Sequence, residues 1–232
     1  MALPTISLPT FTTIIPSTGE SISYRPFVVK EQRNLMVAID ADAPEIYRVM
    51  RECVRDCTFG KVNLEGMPNF DLEYIFMQIR VRSIGEMLPV DITCPHCGYI
   101  DTKDLDLSKA TVVNLEKKKS DIRLSDKLGL TMRYPTLEEI GLIENSPDSE
   151  TVFSVIRNCV QTIYTDLEVN TRDSFTDQEL REWLENMTDD QFREIENFVI
   201  DSPYLYSELL NTCKKCEKDT MFKLRGIKSF FV

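Results

Sequence analysis

Residues 94–98 read CPHCG, and residues 213–216 read CKKC. Two cysteines two residues apart can form a redox disulfide or one half of a metal site. The choice decides the architecture, because 115 residues separate Cys97 from Cys213, whereas the pairs of a compact four-cysteine site lie about 15–20 residues apart. Around the first pair, LPVDIT (88–93) and YIDTKDLDL (99–107) alternate apolar and polar residues, which reads as strand, turn, strand. Around the second, YLYSELL (204–210) and TMFKLRGIKSFF (220–231) are also strand-like.

A four-thiolate zinc site needs four sulfurs about 2.3 Å from the metal in a tetrahedron. A CxxC turn supplies two of them with backbone N–H groups aimed at the sulfurs. Gly98 suits the positive φ that such a turn often needs; Glu217 holds the corresponding place in the second pair and is less suited to it. The pattern is that of a zinc ribbon split in sequence, with structural Zn2+ on Cys94, Cys97, Cys213 and Cys216. The long separation then requires the block 108–204 to be inserted between the two halves, its ends close together. The rival is redox catalysis by CPHC, with Cys94 as a low-pKa thiolate at a helix N-terminus. Three features oppose it. The segment after Cys97 has strand alternation, the surrounding order is not the βαβ pattern of a thioredoxin-like fold, and Cys213 and Cys216 would have no role.

His96 is the only histidine. Four cysteines already close the site, so His96 reads as an outward-facing turn residue. A single histidine also removes most Ser-His-Asp and Cys-His mechanisms, and a four-sulfur zinc leaves no open position for a catalytic water. There is no GxGxxG and no GxxxxGK[ST] among only eight glycines. The acidic runs ENMTDD and DADAPE read as caps and loops. No enzyme class is indicated.

The 232 residues are enough for a self-sufficient core, and 42% of them are hydrophobic. A net charge of −11 disfavours general nucleic-acid binding. The local exception is Lys214, Lys215, Lys218, Lys223, Arg225 and Lys228 against Glu217 and Asp219, which reads either as a solvated ribbon face or as a contact for an acidic partner. The first 24 residues carry no Lys or Arg, so a secretory signal is not expected. No stretch approaches the about 20 apolar residues of a membrane span. A reducing compartment is the expectation, and there CxxC pairs favour metal or redox chemistry over structural disulfides.

The N-terminal 25 residues are β-branched, proline-punctuated and carry a Ser17-Thr18-Gly19 turn, which predicts an edge hairpin or an arm lying on another surface. Helices are predicted over 28–39 and over 43–57, where Ile46, Met50, Cys53, Val54 and Cys57 share a face, so Cys53 and Cys57 read as core. Leu72, Ile75, Phe76 and Ile79 stripe the next helix. Val112 to Lys119 reads as a connector. A helix over 149–164 carries Val152, Val155, Ile156, Cys159, Val160 and Ile163. Capping boxes are predicted at Thr136/Glu139, Thr176/Glu179 and Thr188/Gln191, the last two opening helices lined by Leu180, Trp183, Leu184 and Met187, and by Phe192, Ile195 and Val199. No internal repeat is evident beyond the two CxxC hairpins. The fold class expected is α+β, a mostly helical body with an N-terminal β-hairpin or arm (1–30), a helical segment (31–87), a split four-cysteine zinc ribbon (88–107 plus 205–232) and a helical insertion (108–204).

The segments RPFVVKEQRNLMVAID (25–40) and RECVRDCTFGKVNLEGMPNFDLEYIFMQIRVRSIGE (51–86), with CPHCG and the late CKKC, resemble the baseplate hub proteins of T-even-like contractile-tailed phages. That family is described as hub subunits or hub-assembly chaperones. The resemblance is strongest over about residues 25–107 and 205–232. It implies a non-enzymatic tail-morphogenesis protein whose partners are other phage baseplate and hub proteins, with no membrane, acting in the host cytoplasm during assembly and, if retained, in the virion tail. The alternative is a zinc-ribbon regulator that binds nucleic acid or a polymerase through the basic C-terminal ribbon. Ser229-Phe230-Phe231-Val232 and the Pro/Thr-rich N-terminus are the docking segments to test, since adjacent terminal aromatics are costly to expose. Deleting residues 229–232 should lower thermal stability if they pack on the body, or partner affinity if they dock. Unchanged values for both would refute both roles.

Overall fold

The computed structural model describes residues 6–39, 43–116 and 120–226. The terminal Ser229–Val232 segment and Lys228 therefore lie outside the described residues. By internal contacts the chain forms two compact units, one of Met1–Glu65, Phe70–Val113 and Tyr204–Val232, the other of Gly66–Asn69 and Asn114–Pro203.

The first unit begins with a hairpin, β1 (Phe11–Ile14) and β2 (Ser21–Tyr24), turned at Gly19 with φ 72°. It is docked on its own unit. Ser17 donates from its backbone N–H (3.0 Å) and its hydroxyl to the carboxylate of Asp71, and Ile22 and Tyr24 are buried. Helices α1 (Val29–Ile39) and α2 (Ala43–Cys57) follow. Cys53 and Cys57 are buried, as their spacing on α2 predicts. The long helix α3 (Asn69–Ile84) has little amphipathicity because it is enclosed: Phe70, Leu72, Ile75, Phe76, Met77 and Ile79 are all essentially inaccessible. Two hairpins complete the unit. β3 (Met87–Thr93) pairs antiparallel with β4 (Ile100–Asp106). A three-stranded sheet of order β11-β10-β5 joins β5 (Thr111–Val113), β10 (Tyr204–Thr212) and β11 (Asp219–Arg225). Val112 is thus in a strand paired with Leu205 rather than in a connector.

The second unit is a four-stranded antiparallel sheet of β6 (Asp121–Arg123), β7 (Leu128–Met132), β8 (Val160–Thr165) and β9 (Val169–Thr171), in that order. Packed with it are α4 (Leu137–Asn145), α5 (Ser149–Cys159), α6 (Asp177–Glu185) and α7 (Asp189–Ile200). Leu130, Met132, Val155, Ile156, Cys159, Leu180, Leu184, Ile195, Phe198 and Val199 form its core. All three capping boxes form.

The helix expected over 149–164 stops at Cys159. The Cys159 carbonyl accepts the backbone N–H of Arg133 (2.8 Å), and Val160–Thr165, rich in β-branched residues, pairs with β7 instead. Val160 is buried and Ile163 half-buried in the strand, so the apolar stripe satisfied both periods. The class is α+β, but the body is not mostly helical: helices hold 41% and strands 27% of the described residues.

An internal repeat, not evident in the sequence, is visible in the hydrogen bonds. Arg25 follows β2, and its guanidinium donates to the Pro26 carbonyl, to both oxygens of Glu31 (2.9 and 3.4 Å) and toward Cys57 Sγ (3.7 Å). Arg133 follows β7 and does the same to the Tyr134 carbonyl, Glu139 (2.8 and 2.7 Å) and Cys159 Sγ (4.0 Å). In both, the arginine N–H bonds the cysteine carbonyl, and the glutamate accepts a helix-start N–H, from Val28 or Thr136. Each half thus runs hairpin, Arg–Glu–Cys clamp with two helices, further helical structure, CxxC hairpin.

Both glutamates are buried, which alone would raise their pKa. The arginine and the cap N–H outweigh this and hold both below the ordinary 4.5. The stability they contribute is complete above the unfolded value and is lost as pH falls through the lower folded values. Arg133→Ala, which strands the Glu139 carboxylate, should cost about 3 kcal/mol in chemical denaturation, and a loss under about 1 kcal/mol would show the clamp to be incidental.

Candidate metal centre

Both CxxC turns sit at hairpin tips, between β3 and β4 and between β10 and β11. They share one backbone geometry. In the first, Cys94 N–H donates to the Tyr99 carbonyl (2.8 Å) and Gly98 N–H to the Cys94 carbonyl (2.9 Å). In the second, Cys213 N–H donates to the Lys218 carbonyl (3.0 Å) and Glu217 N–H to the Cys213 carbonyl (2.9 Å). Gly98 has φ 69° and Glu217 φ 57°, so the glutamate occupies the left-handed region that glycine suits. These matched bonds fold each xxC segment back so that both sulfurs project from the same side.

The two knuckles face each other. Cys94 Sγ is 3.7 Å from Cys216 Sγ, and Cys97 Sγ is 3.6 Å from Cys213 Sγ. All four sulfurs lie within 4.8 Å of one another, and Cys94 and Cys213 are buried. A tetrahedron with vertices about 2.3 Å from its centre has edges of about 3.8 Å. The cross-knuckle separations fit that figure, so the four thiols could hold a metal ion. Of the sequence-chosen candidates, all four come together; His96 is exposed on the first turn, and Cys53, Cys57 and Cys159 serve the clamps and cores.

The electrostatics suit a cation. Backbone N–H groups of Cys216 and Lys215 aimed at Cys213 Sγ hold that thiol down to about 6 against its burial. Cys97 accepts from the Tyr99 N–H, yet burial and crowding by the other three sulfurs push it up to about 12. Four such groups cannot all ionise side by side without a positive ion between them. Lys214, beside Cys213, reaches Asp101 on β4 at 2.7 Å and ties the two hairpins together outside the sulfur cluster, holding that carboxyl below its ordinary value. Sequence reading did not find this contact, which rests on residues 113 apart with no spacing signal. It also accounts for part of the basic run. Arg225 stacks on the Tyr204 ring at 4.0 Å, and Lys223 pairs in register with Glu208. Cys94 lies at a strand–turn–strand tip rather than a helix N-terminus, so the activating field assumed for a CPHC oxidant is not provided there.

A family model described as T4 bacteriophage base plate protein matches residues 8–232. The chain belongs to that family. The match takes in residues of both units and both CxxC turns. No curated protein and no solved structure matches the chain. A structural role in the phage tail baseplate follows from the family, with other tail proteins as the class of associates. Among the described residues, no helix is long and apolar enough to cross a membrane.

Glu217→Gly removes the left-handed strain from the second knuckle while leaving its sulfurs in place. It should stabilise the centre by about 1 kcal/mol, read as a higher temperature for exposure of Cys213 and Cys216 to a thiol reagent. A lower temperature would show that the Glu217 side chain supports the knuckle.

Proposed function

We propose that the protein is a non-catalytic subunit or assembly chaperone of the baseplate hub, stiffened by one structural zinc on Cys94, Cys97, Cys213 and Cys216. The observation that carries this reading is the family match over essentially the whole chain, supported at the centre by four sulfurs within 4.8 Å of one another, the two cross-knuckle separations matching a tetrahedral edge. On this reading the segments 88–107 and 205–232 work as one ribbon, with 108–204 inserted between its halves. In support, both CxxC hairpins fall in the same compact unit, while most of the inserted stretch forms the other.

Zinc is preferred over other ions because four thiolates in a tetrahedral array suit it and leave no open position for chemistry. The metal would then act as a clasp across the chain, contributing to folding of the ribbon without being needed for the two apolar cores. The partners are other hub and baseplate proteins, met in the host cytoplasm during assembly.

Protein purified under reducing, chelator-free conditions should carry about one zinc per chain. Of the seven cysteines, four should become reactive on chelation, and the three core thiols only on unfolding. Co-expression with the other tail proteins should give a hub complex that fails to form, or forms slowly, with Cys213→Ser. Metal-free protein with a cycling Cys94–Cys97 disulfide would overturn the zinc reading. A full-rate, complete hub in the absence of this chain would overturn the assembly role.

A further inference from the structure

The two clamps allow the two hairpins that precede them to be aligned residue by residue. Arg25 corresponds to Arg133, and backward from there Tyr24 to Met132, Ser23 to Thr131, Ile22 to Leu130, Ser21 to Gly129 and Glu20 to Leu128. The bonding matches: Ile15 N–H donates to the Glu20 carbonyl as Leu124 N–H donates to that of Leu128, and both arginine N–H groups meet a cysteine carbonyl. On β2, residues 20, 22 and 24 therefore bond to β1, while the N–H and C=O of Ser21 and Ser23 point to the opposite edge.

The halves differ in what lies along that edge. After Cys159 the chain continues as β8, antiparallel to β7: Thr162 sits opposite Thr131 with their hydroxyls 2.6 Å apart, Ile163 opposite Leu130, Tyr164 opposite Gly129. After Cys57 the chain turns away. Phe59 and Gly60 take φ values of 60° and 67°, and no described strand pairs with the free edge of β2. Ser21 and Ser23 are exposed, as are two apolar side chains of the same unit, Ile14 (57% exposed) on β1 and Phe59 (48%) in the turn after α2. β2 itself carries no lysine, proline or bulge, and an unpaired edge of that kind is a template for another strand.

We propose that the free edge of β2 is an acceptor for an extended segment of a partner protein, which adds antiparallel to β2 in the place that β8 occupies beside β7. Among the described residues, the first half of the repeat has no strand in this place. The register defines the chemistry of the guest. A hydroxyl-bearing β-branched residue stands opposite Ser23, as Thr162 stands opposite Thr131. An aliphatic residue stands opposite Ile22. Opposite Ser21 the guest must differ from β8. A Cβ at Gly129 would lie 2.4 Å from the Tyr164 ring, so the Cβ that Ser21 carries excludes an aromatic laid flat across it. A small β-branched residue fits there. The inference stands on the hairpin geometry and needs neither the zinc nor the hub reading.

The test uses the full chain and two peptides, the acetylated hexapeptide of residues 160–165 and the same peptide with Tyr164→Val, each with two lysines appended for solubility. Amide exchange is followed by NMR. At millimolar concentration the Val peptide should slow exchange at Ser21 and Ser23 at least tenfold, leaving Ile22 and Tyr24 unchanged, and should bind at least fivefold tighter than the Tyr peptide. N-methylation of the guest threonine that faces Ser23 should abolish the protection, as should Ser23→Pro in the protein; the methylated peptide decides the matter if Ser23→Pro disturbs the hairpin. No protection at saturating peptide would overturn the acceptor. Protection of Ser21 and Ser23 without peptide, rising with protein concentration alongside a doubled mass, would assign the edge to a second copy of this chain and overturn the partner proposed.

Discussion

Each half of this protein is organised around an arginine that leaves a strand and is consumed at once. Its side chain grips a glutamate at the first turn of the next helix and its main chain reaches the carbonyl that ends the helix after that. Strand, first helix and second helix are thereby locked at three points by one residue. The paired cysteine is suited to the place because it is small, tolerates burial and offers a weak acceptor; burial pushes the Cys159 thiol up to about 12, so it stays neutral beside the ion pair. A charge pair at this depth contributes less through attraction than through the high cost of every arrangement that separates it. It acts as a specification of geometry, and both halves obey it.

Much of the local structure was legible because it obeys short-range rules. The hairpin turn at Gly19, the stripe on α2, the enclosed α3 and all three capping boxes depend on residues within a few positions of one another. The four metal-ligand candidates were legible for the same reason, as two CxxC turns with strand patterns on either side. The errors came where a distant partner decided the outcome. Val160, Thr162, Ile163 and Thr165 could continue a helix or start a strand, and β7, about 30 residues earlier, settled it by offering an edge. β5 is a three-residue strand defined only by β10, far along the chain. The repeat stayed hidden because its halves share bonding positions and almost no sequence: Pro26 and Tyr134 are equivalent only through a carbonyl oxygen that any residue carries.

The knuckles show the same lesson in reverse. Their backbones are nearly interchangeable, down to a left-handed residue after the second cysteine, while their sequences agree in little beyond the cysteines. The backbone N–H groups do the shaping, and the side chains between the cysteines are free to serve other ends, as Lys214 does at Asp101.

The distance between the knuckles also places the centre in time. Cys97 and Cys213 are 116 residues apart, and at about 5–20 residues per second a ribosome needs on the order of ten seconds to deliver the second pair after the first. Throughout that interval Cys94 and Cys97 are two thiols without the pair that faces them in the folded chain, open to a wrong partner or to oxidation. The four sulfurs can come together only once Cys213 and Cys216 have emerged. A polypeptide cut short between Cys97 and Cys213 has Cys94 and Cys97 but not the second sulfur pair that faces them in the folded chain, so the sulfur cluster reports that synthesis has passed Cys216.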